Sequence, residues 1–134
     1  MEKATFDEYG KFVLSTTSTQ SLDTRELTDR LLELREHTQA HKPVEFSQLL
    51  TASIGMQAES GEFSEIIKKI IFQGKEYTPD ERFHLKRELG DVLWYCAALA
   101  NDLGLSLDLI ARMNLDKLNL RKEAGTIGGS GDNR

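Results

Sequence analysis

Residues 78–104 read TPDERFHLKRELGDVLWYCAALANDLG, and the way this stretch begins and ends decides the fold class. Thr78 is a capping residue, Pro79 stands at the first helical position and Glu81 falls three residues after the cap, a strong helix start. Gly104 supplies the stop. The spacing predicts one helix from about Pro79 to Leu103. From Leu85 onward apolar residues occupy much of its circumference, which marks it as central rather than peripheral.

Working outward, Ser106 caps a further helix that runs to about Glu123, ahead of Gly125. Upstream, Lys42-Pro43 opens a helical stretch carrying Phe46, Leu49, Leu50 and Ile54, then Ile66, Ile67 and Ile70, until Gly74 stops it. Asp23-x-x-Glu26 resembles a capping box, followed by Leu27, Leu31, Leu32 and Leu34 at helical spacing as far as about Ala40. A short helix from Phe6 to about Ser15 comes first, and the Ser/Thr-rich segment Ser15 to Ser21 reads as a connection. No stretch shows strand alternation bounded by turn signals, so the expected fold is all-α. Residues 126–134 are glycine-rich and read as a flexible tail that ends in Asp132-Asn133-Arg134.

A chain of 134 residues supports one domain with one core. Its 17 basic and 22 acidic residues leave a net charge of -5, which argues against a nucleic-acid polymer as partner. Small anionic ligands stay open, provided that metal and local Lys or Arg collect them. The single Cys96 forms no intrachain disulfide and sits in an apolar run, as a core residue of a reducing compartment would. The N-terminus lacks an apolar signal core, and the longest apolar stretch, Val92 to Ala100, is too short to span a bilayer. A soluble, cytoplasmic protein with no membrane partner is expected.

Two acidic pairs carry the chemistry: Glu59-Ser60-Gly61-Glu62 and Glu88-Leu89-Gly90-Asp91. Each has i, i+3 spacing, which puts both carboxylates on one helix face, so two packed helices could bring four acids to one point. Like charges so close disfavour ionisation, and a hard divalent ion such as Mg2+ is their natural partner. Either pair alone is better explained as a solvated face, since Glu is a good helix former. The apolar flanks, Ile54, Met56, Phe63, Ile66 and Ile67 on one side and Leu89, Val92, Leu93 and Trp94 on the other, argue for a partner. Helical spacing extends the first stripe to Lys69 and the second to Tyr95, and aligns Ile110, Asn114, Lys117 and Arg121 on the last helix. These could hold a polyanion beside the metal, although Lys117 and Arg121 also suit a helix C-terminus on dipole grounds alone.

A rival metal reading uses Glu81-x-x-His84, the motif of di-iron helical bundles, which need two copies; one exists here. His37 and His41 lack a Glu three positions before them. No Gly-rich phosphate loop occurs, so nucleotide chemistry here would be metal and carboxylate based. Tyr9, Phe12, Phe63 and Trp94 are aromatic candidates for stacking on a base, but aromatics at helical spacing usually pack a core.

At these residues the chain resembles the MazG-like branch of the all-α nucleoside triphosphate pyrophosphohydrolases, recognised by Glu-x-x-Glu, a variable gap, then Glu-x-x-Asp. Glu59, Glu62, Glu88 and Asp91 match, and the segments 58–63, 88–95 and 114–121 look like the family's helices. The tail is similar to that of small, single-domain members often found in bacteriophages. Residues 1–44 match poorly and form a variable N-terminal part, before a catalytic core at 45–125. The family's usual double Glu is here Ala58-Glu59, so any role of the extra acid is absent or passed to Glu65.

The resemblance implies hydrolysis of a nucleoside or deoxynucleoside triphosphate between the α and β phosphates, giving the monophosphate and pyrophosphate. It implies Mg2+, with Mn2+ as a substitute, held by Glu59, Glu62, Glu88 and Asp91, one of the first pair also serving as base. Lys69, Tyr95, Asn114, Lys117 and Arg121 would contact phosphate or sugar. It further implies a helical bundle completed by oligomerisation as a homodimer or homotetramer, and host cytoplasm as the location if the chain is phage-encoded. A narrower dCTP, dUTP or phosphoribosyl-ATP pyrophosphohydrolase uses the same scaffold, because base choice depends on pocket shape. A non-catalytic helical interaction protein is the alternative from another class, and it predicts no Mg2+ dependence.

Overall fold

The structure, a computed structural model, describes residues 3–38 and 44–128. Among them are six helices and no strand. They belong to two compact units, Met1–Phe46 and Ser47–Arg134.

In the first unit, α1 (Phe6–Thr16) opens with a reciprocal capping box. The Glu8 N–H donates to Thr5 Oγ1 at 3.2 Å, and the Thr5 N–H donates to Glu8 Oε2 at 2.7 Å. Its apolar stripe of Phe6, Tyr9, Phe12 and Val13 is exposed, Phe6 at 94%. The segment Ser15 to Ser21, expected as plain connection, contains a one-turn helix, α2 (Thr19–Leu22). The Asp23 N–H closes that turn on Thr19 O at 2.9 Å, and the Ser18 and Ser21 hydroxyls meet at 3.0 Å across it. Asp23 then caps α3 (Thr24–Thr38), its Oδ1 accepting from the Arg25 N–H at 2.7 Å. The expectations for Gln39 to Pro43, including His41 and the Lys42-Pro43 helix start, lie outside the described residues.

In the second unit, α4 (Phe46–Phe72), α5 (Pro79–Asp102) and α6 (Leu107–Glu123) follow one another through short connections. Three glycines end the helices in the left-handed conformation that a side chain disfavours, Gly74, Gly104 and Gly125, at φ of 68°, 67° and 68°. Past Gly104 the Leu105 N–H returns to Ala100 O at 2.8 Å, and past Gly125 the Thr126 N–H returns to Arg121 O at 2.9 Å. Thr78 caps α5 as its sequence demands, accepting from the Glu81 N–H at 3.3 Å. The Glu81 side chain does not complete a capping box. It is buried, 7% exposed, with Oε1 2.8 Å from Lys75 Nζ in the preceding loop.

Helices α4 and α5 run antiparallel, as the brief loop between them requires. Gly55 lies under the Tyr95 ring, Met56 Sδ is 3.8 Å from Cys96 Sγ, and Glu59 meets Glu88 and Asp91, so positions ascend on one helix as they descend on the other. Among the described residues the buried apolar ones are small, Ala52 and Ala100. Although α5 reads as a central helix, Phe83, Leu89, Leu93 and Trp94 stand exposed on it, as do Met113, Leu115, Leu118 and Leu120 on α6. Three helices give α5 too few neighbours to cover its circumference. Among the described residues no helix is long and apolar enough to cross a membrane.

Candidate metal centre

Glu59 on α4 and Glu88 and Asp91 on α5 each present a carboxylate oxygen, and these oxygens lie within 4.8 Å of one another. The i, i+3 spacing aligns the two α5 acids, and the antiparallel crossing sets Glu59 opposite them. What allows the approach is Gly55, one turn before Glu59. A Cβ there would stand 2.2 Å from the Tyr95 ring, so only a glycine admits the ring against the α4 backbone.

Partial burial, then the charges of Glu62, Asp91 and Glu88 and a hydrogen bond with Glu88, hold the Glu59 pKa above its ordinary 4.5. No ion pair among the described residues involves Glu59, Glu88 or Asp91. Three converging carboxylates, with oxygen as the sole donor type, fit a hard divalent cation. Glu62 is exposed and stands outside the three-carboxylate contact, while its charge still acts on Glu59.

Tyr95 belongs to the same place: with Glu59, Asp91 and Trp94 it lines an open recess of about 320 Å3. The basic residues and Asn114 are positioned differently. Lys69 Nζ is 3.4 Å from Glu65, which also pairs with Lys68, and these lysines hold the Glu65 carboxyl below its ordinary range. Glu65, one of the two outcomes expected for the acid missing at Ala58, is engaged by the lysines of its own helix. Asn114 and Lys117 line a larger, mostly apolar hollow of about 860 Å3 with Leu93, Leu103, Leu107 and Ile110. Arg121 is buried at the end of α6. Within one chain the recess thus collects acids and aromatic rings, and the second unit sets Asn114 and Lys117 apart from it.

Glu81 and His84 form no metal cluster; among the described residues the group of Glu59, Glu88 and Asp91 is the one that gathers, and Glu81 is paired with Lys75. Gly55 was not foreseen as a residue of the site, and Trp94 was weighed between base stacking and core packing. Gly55 could have been flagged as a glycine inside a helical pattern, a mark of close approach. Trp94, expected to pack a core, is 64% exposed at the recess. Arg134 and the rest of residues 129–134 lie outside the described residues.

The profile of the MazG nucleotide pyrophosphohydrolase domain matches residues 48–126, a segment within the second unit that contains all four acids of the two pairs. The Gene 37 protein of Mycobacterium phage L5 is 45% identical over 84 residues, which cover 61% of this chain and 73% of that protein. No solved structure matches. With both acidic pairs inside the matched segment and carboxylates from the two helices converging, the chain belongs to the MazG nucleotide pyrophosphohydrolase domain family.

Proposed function

We propose that this chain hydrolyses nucleoside or deoxynucleoside triphosphates between the α and β phosphates, releasing the monophosphate and pyrophosphate, in a Mg2+-dependent reaction. The observation that carries this reading is the meeting of Glu59, Glu88 and Asp91 across two helices of the family-matched segment. Glu59, Glu62, Glu88 and Asp91 are the residues that would hold Mg2+, with Mn2+ as a substitute. When bound, such an ion offsets phosphate charge and lowers the pKa of a coordinated water. Glu62, outside the three-carboxylate contact and open to solvent, is the member of its pair left to take a proton from the attacking water. Tyr95 lines the recess and suits a sugar hydroxyl. Lys69, Asn114, Lys117 and Arg121 are proposed for phosphate and sugar contacts.

The exposed leucines of α5 and α6 support a homodimer or homotetramer, because apolar faces of this extent call for a partner. Sedimentation at micromolar concentration should give an oligomer; a monomer would remove this part. The activity is tested by incubating the protein with each common dNTP and NTP plus Mg2+ and resolving the products. Equal monophosphate and pyrophosphate are expected, and release of inorganic orthophosphate would overturn α-β cleavage.

A further inference from the structure

We propose that Trp94 is the platform on which the nucleobase of the substrate stacks, and is therefore a specificity-determining residue; this rests on the nucleotide reading above. The recess has two chemically different walls. Glu59 and Asp91 form one, suited to a polyanion through a cation, and Trp94 and Tyr95 form the other. A ligand that satisfies both walls is a polyphosphate carrying a planar ring. Nucleotides have this chemistry, whereas inorganic polyphosphates have only the first half of it.

Trp94 is unusual for its residue type. A tryptophan contributes most when its large surface is removed from water, yet this one is 64% exposed at the rim of the recess. Its contact with Tyr95 is perpendicular, ring centroids 4.9 Å apart at 90°, which braces the indole without covering it. Tyr95 is in turn seated on the bare backbone of Gly55, so the pair is set by the helix crossing. The indole stands one helical turn from Asp91, close enough for a base to reach it while the phosphates face the acids. Stacking on an aromatic side chain tolerates every base, so Trp94 would select for the presence of a base more than for its identity.

Trp94 is the single tryptophan of the chain, so its emission reports on this position alone. The test titrates the full protein, in Mg2+, with a deoxynucleoside 5′-(α,β-methylene)triphosphate and separately with inorganic tripolyphosphate. Binding is followed by calorimetry and by Trp94 fluorescence, with pyrophosphate release from ordinary dNTPs measured in parallel. The nucleotide analogue should quench and shift the emission, and tripolyphosphate should bind with little change. Trp94→Ala should weaken the analogue by about tenfold or more with tripolyphosphate affinity unchanged, whereas Trp94→Phe should keep most of it. Calorimetric binding of the analogue with silent emission, or equal losses for both ligands in Trp94→Ala, would overturn the proposal and leave the pyrophosphohydrolase reading standing. Emission of the ligand-free protein that is blue-shifted and resistant to acrylamide would place the indole in a subunit interface and also overturn it. No Mg2+-dependent binding or pyrophosphate release at all would remove both readings.

Discussion

At the scale of single residues, Gly55 gives the sharpest prediction. Replacing a helix-interior glycine with alanine ordinarily stabilises, and Gly10→Ala in α1, with nothing within 4 Å of the new methyl, should gain about 0.5–1 kcal/mol in urea denaturation. Gly55→Ala should do the reverse, losing about 1–3 kcal/mol, because the methyl would enter the Tyr95 ring. A stabilised Gly55→Ala would show that Tyr95 does not rest there. Asp91→Asn should lower turnover by more than about a hundredfold while the far-ultraviolet circular dichroism stays helical, given that even outer partners of a metal site cost ten- to a hundredfold. Glu59 makes the pH prediction. Since desolvation and its acidic neighbours raise its pKa in the folded chain, the fold binds that proton more tightly than the unfolded chain does. Metal-free stability should therefore fall as pH rises from 4.5 through the raised value and stay lower above it. In EDTA the advantage of Glu59→Gln over wild type should grow from acid to neutral pH, and saturating Mg2+ should cancel it. An advantage independent of pH would refute the electrostatic account.

At the scale of the helices, the ends were legible because caps are local chemistry. Thr78, Pro79, Ser106, Gly104 and Gly125 act within a few residues of themselves, and each does in the structure what its type dictates. Glu81 shows the limit: its spacing suits a capping box, yet a lysine across the loop claims the carboxylate. Lys75→Ala should leave that buried group without its cation and cost about 1–3 kcal/mol in denaturation, more than Thr78→Ala at about 1 kcal/mol. The converging acids were legible in part for the same reason, i, i+3 spacing being a property of one helix. The placement of Asn114 and Lys117 was not, because a shared stripe on α6 says nothing about which face of α5 it meets. Lys69 also shares its stripe with Glu59, but Glu65, four residues before it, is nearer. Trp94 stood among four aromatic candidates, with core packing the usual reading, because periodicity cannot distinguish a ring that faces a core from one that faces a cleft.

For the whole molecule, the all-α fold followed from the absence of strand alternation and from five helix signals, whereas the extent of uncovered apolar surface did not. A sequence shows that α5 is apolar on several sides, but only the folded chain shows that, among the described residues, Ala52 and Ala100 are the apolar ones it buries. The open leucine faces of α5 and α6 then have a consequence for how the protein responds to dilution. If copies of the chain cover those faces for one another, association and folding draw on the same free energy, and stability becomes a function of concentration. The melting temperature should climb with each tenfold increase in protein, and specific activity should decay on dilution with a lag set by subunit dissociation. A melting temperature independent of concentration would mean that the chain stands alone with its leucines in water. Otherwise the amount of protein present would itself decide how much of the chain is folded and assembled.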